Sequence, residues 1–372
     1  MQSFLRRGAS LFTPSPSPSP SPSQSSTPNP PPTRLIRGPE DFAKAPLPET
    51  LFSKTEPATD GEECEHDCAT CTIRYPAKFE VDMEDELYGH VNGWSTHLLV
   101  ATGKTDWVRD VADEEGSVME AVEKGGVLPG NGKLKLSASN MPVPDEYHIH
   151  EKGEQPTTVL LLPSFTIIDH VTPALVPELI RGFVDPAVTT TTPLNGVSAP
   201  APANTEDKDA GTVTQEQVVS SLRSRPSPHA AVILLCSQKT RDARCGQSAP
   251  LLKREFERHL RPLGLHRDLD DERPGGVGIY FISHVGGHKY AANVIVYRRR
   301  DFDWHKATEA QVAESSSGGA ADEGASQCIW LARVRPEDCE NIVRYTVLQG
   351  KVVKPGTQLR GGFDRKRGLI SW

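Results

Sequence analysis

Four residues in the C-terminal half of the chain have the types and spacing to hold a metal: Cys236, Cys245, His284 and His288. One cysteine ends an apolar run and the other follows it, in Val-Ile-Leu-Leu-Cys236-Ser-Gln-Lys-Thr-Arg-Asp-Ala-Arg-Cys245-Gly. The histidines stand in Ile-Tyr-Phe-Ile-Ser-His284-Val-Gly-Gly-His288-Lys-Tyr-Ala-Ala-Asn, between two more apolar runs. Each pair leaves the end of a strand-like segment, and strand ends of an open sheet are where ligand sites are usually built. Two thiols and two imidazoles suit either zinc or a two-iron cluster. Cys-x8-Cys and His-x3-His are not the usual zinc-finger spacings, and on the residues alone the two metals stand even.

A second group, Cys64-Glu-His-Asp-Cys68-Ala-Thr-Cys71, offers three thiols within eight residues. The same spacing holds a four-iron cluster in radical enzymes that use S-adenosylmethionine. That chemistry needs a train of strand–helix units, which this chain lacks. Cys64, Cys68 and Cys71 remain a secondary metal or redox group, with His66 or a distant residue as a fourth ligand, and reduced surface cysteines are the plain alternative. Cys328, beside Ile329 and Trp330, reads as a small core residue.

The elements that must position these residues follow from the hydrophobic pattern. Residues 95–102 and 133–139 read as strands, and Trp107, Val108, Val111, Val118, Met119 and Val122 recur at helical intervals until Gly125-Gly126. Residues 157–168 form a third apolar run, completing a small α/β domain over 61–184. His148 and His150 would share one face of a strand, a pattern more often polar surface than metal site. In the second half, strands are expected at 230–235, 278–283, 293–297 and 329–334. A helix is expected to start at Ser248 with Pro250 in its first turn, and another runs from Pro336 to about Leu348. Residues 306–327 read as a surface insertion.

Composition bounds the rest. The chain has 372 residues, 36% of them hydrophobic, and 32 prolines placed unevenly. Pro and Ser alternate from Pro14 to Pro22, which predicts an extended spacer, and residues 1–60 read as a disordered tail. Residues 185–228, rich in Thr, Pro, Ala and Ser, read as a linker that closes with a short helix near 215–222. The first 39 residues carry four arginines and no acid, the composition of a mitochondrial presequence, so a mitochondrial location is expected, with the cytosol as the alternative. No apolar run reaches the 18 residues a membrane span needs. The formal charge of -8 argues against nucleic acid, and the short clusters Arg298–Arg300 and Arg365–Arg367 read as solvated surface. Seven cysteines in no even framework point to thiolates in a reducing compartment. No carboxylate pair or nucleophile constellation marks a catalytic site.

Cys-x8-Cys followed by His-x-Gly-Gly-His-Lys-Tyr-Ala-x-Asn resembles the sucrase/ferredoxin-like family, the thioredoxin-like [2Fe-2S] ferredoxins. The specific likeness covers residues 230–300. A weaker one extends upstream through the Cys64 stretch and His97-Leu-Leu-Val-Ala-Thr-Gly-Lys-Thr-Asp-Trp107. The resemblance implies a thioredoxin-like ferredoxin domain over 229–372 and a cluster held by Cys236 and Cys245 on one iron and His284 and His288 on the other. It tips the metal from zinc to iron–sulfur. It also implies an electron-transfer role, more carrier or thiol redox factor than hydrolase, with redox proteins as partners. In two-His, two-Cys Rieske centres the potential lies at about -150 to +300 mV, against about -400 mV for all-Cys plant types. Lys239, Arg241, Arg244 and Lys289 crowd the ligand loops and would favour an acidic partner. The final Ile370-Ser371-Trp372 is similar to the tail by which cytosolic iron–sulfur assembly machinery recognises its clients, although a terminal Trp also serves as a core plug.

Overall fold

The computed structural model describes residues 42–151, 153–194, 222–300 and 324–372. The Arg-containing start, the Pro/Ser tract, most of the linker and most of the 306–327 insertion lie outside them. Within them the protein is mixed α/β, built on one large sheet with several helices. Its strands are β1 (Ala43–Lys44), β2 (Thr96–Ala101), β3 (Leu134–Ser139), β4 (Thr157–Leu162), β5 (Thr166–Val171), β6 (Arg223–Pro226) and β7 (Ala231–Cys236). They continue with β8 (His266–Arg267), β9 (Val277–Ile282), β10 (Val294–Arg299), β11 (Ala325–Leu331), β12 (Leu359–Asp364) and β13 (Leu369–Ile370). The sheet order is β1-β13-β12-β11-β10-β7-β9-β3-β2-β4-β5-β6, with β8 against β9.

One motif occurs twice along this sheet. In the C-terminal half, β7 leads through the helix Ala243–Leu260 to the parallel β9; β10 then runs antiparallel to β7 and β11 to β10. A helical stretch from Pro336 to Val347 follows. The order β11-β10-β7-β9 is the layout the resemblance implies. In the N-terminal half, β2 leads through the helix Val118–Lys124 to the parallel β3, β4 runs antiparallel to β2, and β5 antiparallel to β4. A helical stretch from Pro173 to Val184 closes that half. The two halves meet edge to edge where β3 pairs antiparallel with β9 at Ser139 and Ile282.

Alternation along the strands explains why the sheet is covered on both faces. Ile233 and Leu235 join one core with Leu98, Val100, Ile279 and Phe281, while Val232, Leu234 and Cys236 join another with Leu99, Tyr297, Cys328 and Trp330. Cys328 is the fully buried small residue its neighbours suggested.

Several expectations are corrected. Order begins before Gly61: β1 pairs with β13, and Leu51 and Phe52 are buried, because this stretch carries apolar side chains that the Pro/Ser tract lacks. The end of the expected linker is strand, with β6 extending the sheet beyond β5. Residues 157–168 are not one run but the strand β4, a turn at Pro163-Ser164 and the start of β5, together a hairpin. His148 lies in a 3-10 turn (Asp145–Ile149) with His150 just after it, so no strand aligns them. The long helix starts at Ala243, not Ser248, because the Asp242 side chain accepts from Arg244 N at 2.9 Å and caps it upstream. The basic clusters are solvated only in part: Arg300, Lys366 and Arg367 are exposed, but Arg298 donates to Val347 O and Leu348 O, and Arg365 to Thr192 O and Ala325 O, both of these side chains being buried. Arginine carries enough donors to satisfy several carbonyls at once, which charge counting along a sequence does not register.

Candidate metal centre

Cys236 is the last residue of β7, and Cys245 is the third residue of the helix Ala243–Leu260. His284 follows the end of β9, the strand parallel to β7. Parallel pairing brings those two strand ends side by side, and the capped helix start returns Cys245 to the same place. The ligand atoms of Cys236, Cys245 and His284 lie within 4.8 Å of one another, with Cys236 Sγ 3.7 Å from His284 Nδ1. His288 is exposed and outside this trio, its ring centroid 5.4 Å from that of His284. Both cysteines are buried and His284 is half-buried, so the group opens to solvent on its histidine side.

The thiols are not equivalent. A hydrogen bond from Cys245 holds the Cys236 thiol down to about 5, with His284 adding to the effect and burial opposing it. Cys245, as the donor, is pushed up, and burial pushes it further. Of the two, Cys236 is the sulfur more readily held as a thiolate, the form that ligates metals.

Residues the sequence did not flag hold these loops. Gln238, 1% exposed, accepts from His284 N at 2.8 Å and donates to Val108 O at 2.5 Å. Ser237 Oγ donates to Thr105 O, Thr240 donates twice to Asp106, and Arg241 Nη1 donates to Arg109 O. The ligand loop is thus gripped by residues 105–109 of the other half. On the histidine side, Asn293 Nδ2 donates to Gly287 O, and Arg360 Nη1 donates to Gly286 O and to Asn293 Oδ1. Gly287 has φ +67°, and a Cβ there would sit 2.6 Å from the Arg360 guanidinium, so only glycine fits this turn. Of the four loop cations, Arg244 is paired with Asp242 and Lys289 with Asp82 and Asp85, while Lys239 and Arg241 are exposed.

Cys64, Cys68 and Cys71 are buried thiols rather than surface ones. Among the described residues they do not gather into one ligand group. Cys68 instead joins His259 and Glu340, with ligand atoms within 4.8 Å, and Arg258 Nη2 lies 3.3 Å from its sulfur and 3.0 Å from His259 Nε2. The C-terminal Trp372 stacks on Trp94 at 5.0 Å, and Ser371, fully buried, accepts from Gly362 N. In this structure the last residues pack as a plug.

Known proteins bear on the chain as a whole. It is 27% identical to the Actin patches distal protein 1 of Saccharomyces cerevisiae over 318 residues, 81% of this chain and 85% of that protein. It is 33% identical to the Altered inheritance of mitochondria protein 32 of Clavispora lusitaniae over 126 residues, and 33% identical to that of Debaryomyces hansenii over 123. Those two matches take in about a third of this chain and 33% of each relative. No solved structure matches the chain. Among the described residues, no helix is long and apolar enough to cross a membrane. The sequence profile of the sucrase/ferredoxin-like family matches residues 87–361, across both halves of the sheet, and the chain belongs to that family.

Proposed function

We propose that the protein is an electron-transfer protein carrying a [2Fe-2S] cluster on Cys236, Cys245, His284 and His288. The observation that carries this reading is the convergence of two buried sulfurs and His284 within 4.8 Å, with a second imidazole beside them on the open side. Sulfur and nitrogen donors in equal number fit the two-per-iron division of a His/Cys-ligated cluster. When bound, such a cluster supplies a one-electron step at a potential above that of all-Cys centres.

The rest is work for the chain's own side chains. Cys236 and Cys245 would hold the buried iron, and the imidazoles of His284 and His288 the iron nearer solvent. Gln238 and Asn293 fix the two loops relative to each other, so little of the chain has to rearrange around the metal. Lys239 and Arg241, exposed on the ligand loop, suit a redox partner with an acidic face. The names of the relatives matched over a third of their length fit a mitochondrial setting. Loading would require iron–sulfur assembly machinery.

The test is the visible spectrum and metal content of freshly purified protein. A red-brown band that dithionite bleaches, with two irons per chain, is expected. A colourless protein with stoichiometric zinc would overturn the reading and leave a zinc-stabilised interaction module.

A further inference from the structure

Beside the ligand loops lies a cleft of about 650 Å³ that the metal site does not use. Its walls are residues 89–94, part of β3 and the glycine pair Gly286-Gly287, with the buried indoles of Trp94 and Trp330 behind them. Lys133, Lys135 and Arg360 line it against a single carboxylate, that of Glu123. In a chain of formal charge -8 this is a local reversal of sign.

Two of the cations are set into the wall. Arg360 is 4% exposed, and its guanidinium lies 4.2 Å from the centroid of the Trp330 ring. Its Nη1 is committed to Gly286 O and Asn293 Oδ1, while its Nε is buried with no partner. Lys135 Nζ stands 5.2 Å from the Trp94 ring and 5.7 Å from that of Trp330. Burial pushes Lys135 down to about 8, and no carboxylate is among the groups that act on it. Lys135, half-buried and without an acceptor, and the unpartnered Nε of Arg360 both leave donor capacity in the wall unused, which is costly. The Cys236 thiolate acts on both cations, but it makes no hydrogen bond to either.

We propose that this cleft binds a small oxyanion-bearing molecule, its carboxylate or phosphate held by Lys135 and Arg360. An oxyanion supplies the acceptor that the lysine lacks, and a guanidinium fork suits the same group. Neither cation belongs to the four-residue ligand set, so the proposal stands whichever metal that set holds.

The experiment titrates the full chain, as purified, with inorganic phosphate and separately with citrate, ionic strength being held constant with chloride. Tryptophan fluorescence and calorimetry follow binding. Saturable binding of at least one anion is expected: phosphate alone identifies a phosphate ligand, citrate alone a carboxylate, and both the shared chemistry. Lys135→Met should weaken it roughly 10- to 100-fold, the worth of one charged hydrogen bond, with metal content unchanged. Arg360→Lys, which keeps the charge and loses the fork, should weaken it as well and carries the test if Lys135→Met does not fold. No saturation with either anion, or wild-type affinity in a folded Lys135→Met, overturns the proposal. The two cations would then serve only to offset the charge of Cys236.

Discussion

The two halves of the sheet repeat one order of strands and helices, yet among the described residues only one of them gathers candidate metal ligands at its strand ends. Where β7 and β9 end in Cys236 and Ser283-His284, the corresponding ends of β2 and β3 carry Thr102-Gly103 and Asn140. Those N-terminal ends grip instead of ligating. Residues 105–109 hold the Cys loop, and Asn140 Oδ1 accepts from Phe281 N at 2.7 Å, next to the His loop. His97, on β2 of the N-terminal half, is fully buried between Tyr297 and Ser137. Duplicated topology therefore does not duplicate chemistry: one half supplies donors and the other their scaffold.

That division of labour can be broken in stages. The largest effect is expected from Cys245→Ser, which should abolish metal binding outright in the C-terminal half, while Cys328→Ser should leave the metal content unchanged; elemental analysis decides. Next, His288→Cys replaces the outermost donor. If His288 is a ligand, the reduction potential should fall by on the order of 100 mV in a redox titration, since thiolate for imidazole favours the oxidised form. An unchanged potential would remove His288 from the ligand set.

Gln238→Leu tests the grip between the halves. It leaves His284 N and Val108 O without their partners, which should cost roughly 3 kcal/mol by urea denaturation and loosen metal retention. Acid tests the buried histidines. Burial pushes His229 down to about 4 and His97 well below the usual range, so the folded protein keeps both neutral where the unfolded chain would protonate them. Stability is then complete above about pH 6.5 and declines as pH falls toward 4. Between pH 7 and pH 5 the loss from His229 should be roughly 2 kcal/mol. His229→Gln should flatten that part of the urea profile.

Much of this could be read from the sequence, because the apolar runs are short and dense. The strands ending at Cys236 and before His284 were plain from Ala-Val-Ile-Leu-Leu and Gly-Ile-Tyr-Phe-Ile, and with them two of the three converging ligands. The helix start was misplaced because Pro250 imitates a first-turn proline, while the residue that caps the helix is Asp242, eight positions earlier. What stayed hidden depends on distant partners. The β3–β9 seam joins Ser139 to Ile282, and the Cys68 group draws on His259 and Glu340. No local period encodes either pairing. Arg298 and Arg365 escape a reading as solvated surface for the same reason, since the carbonyls they satisfy lie on other elements.

The seam between the halves also bears on how the protein can be divided. A fragment starting at residue 222 would keep every proposed ligand, yet the end of β9 would lose its neighbour. An unpaired strand edge beside the ligand loops is a template for association between copies. Such a fragment should aggregate or fail to hold metal, so the C-terminal half is not a portable module.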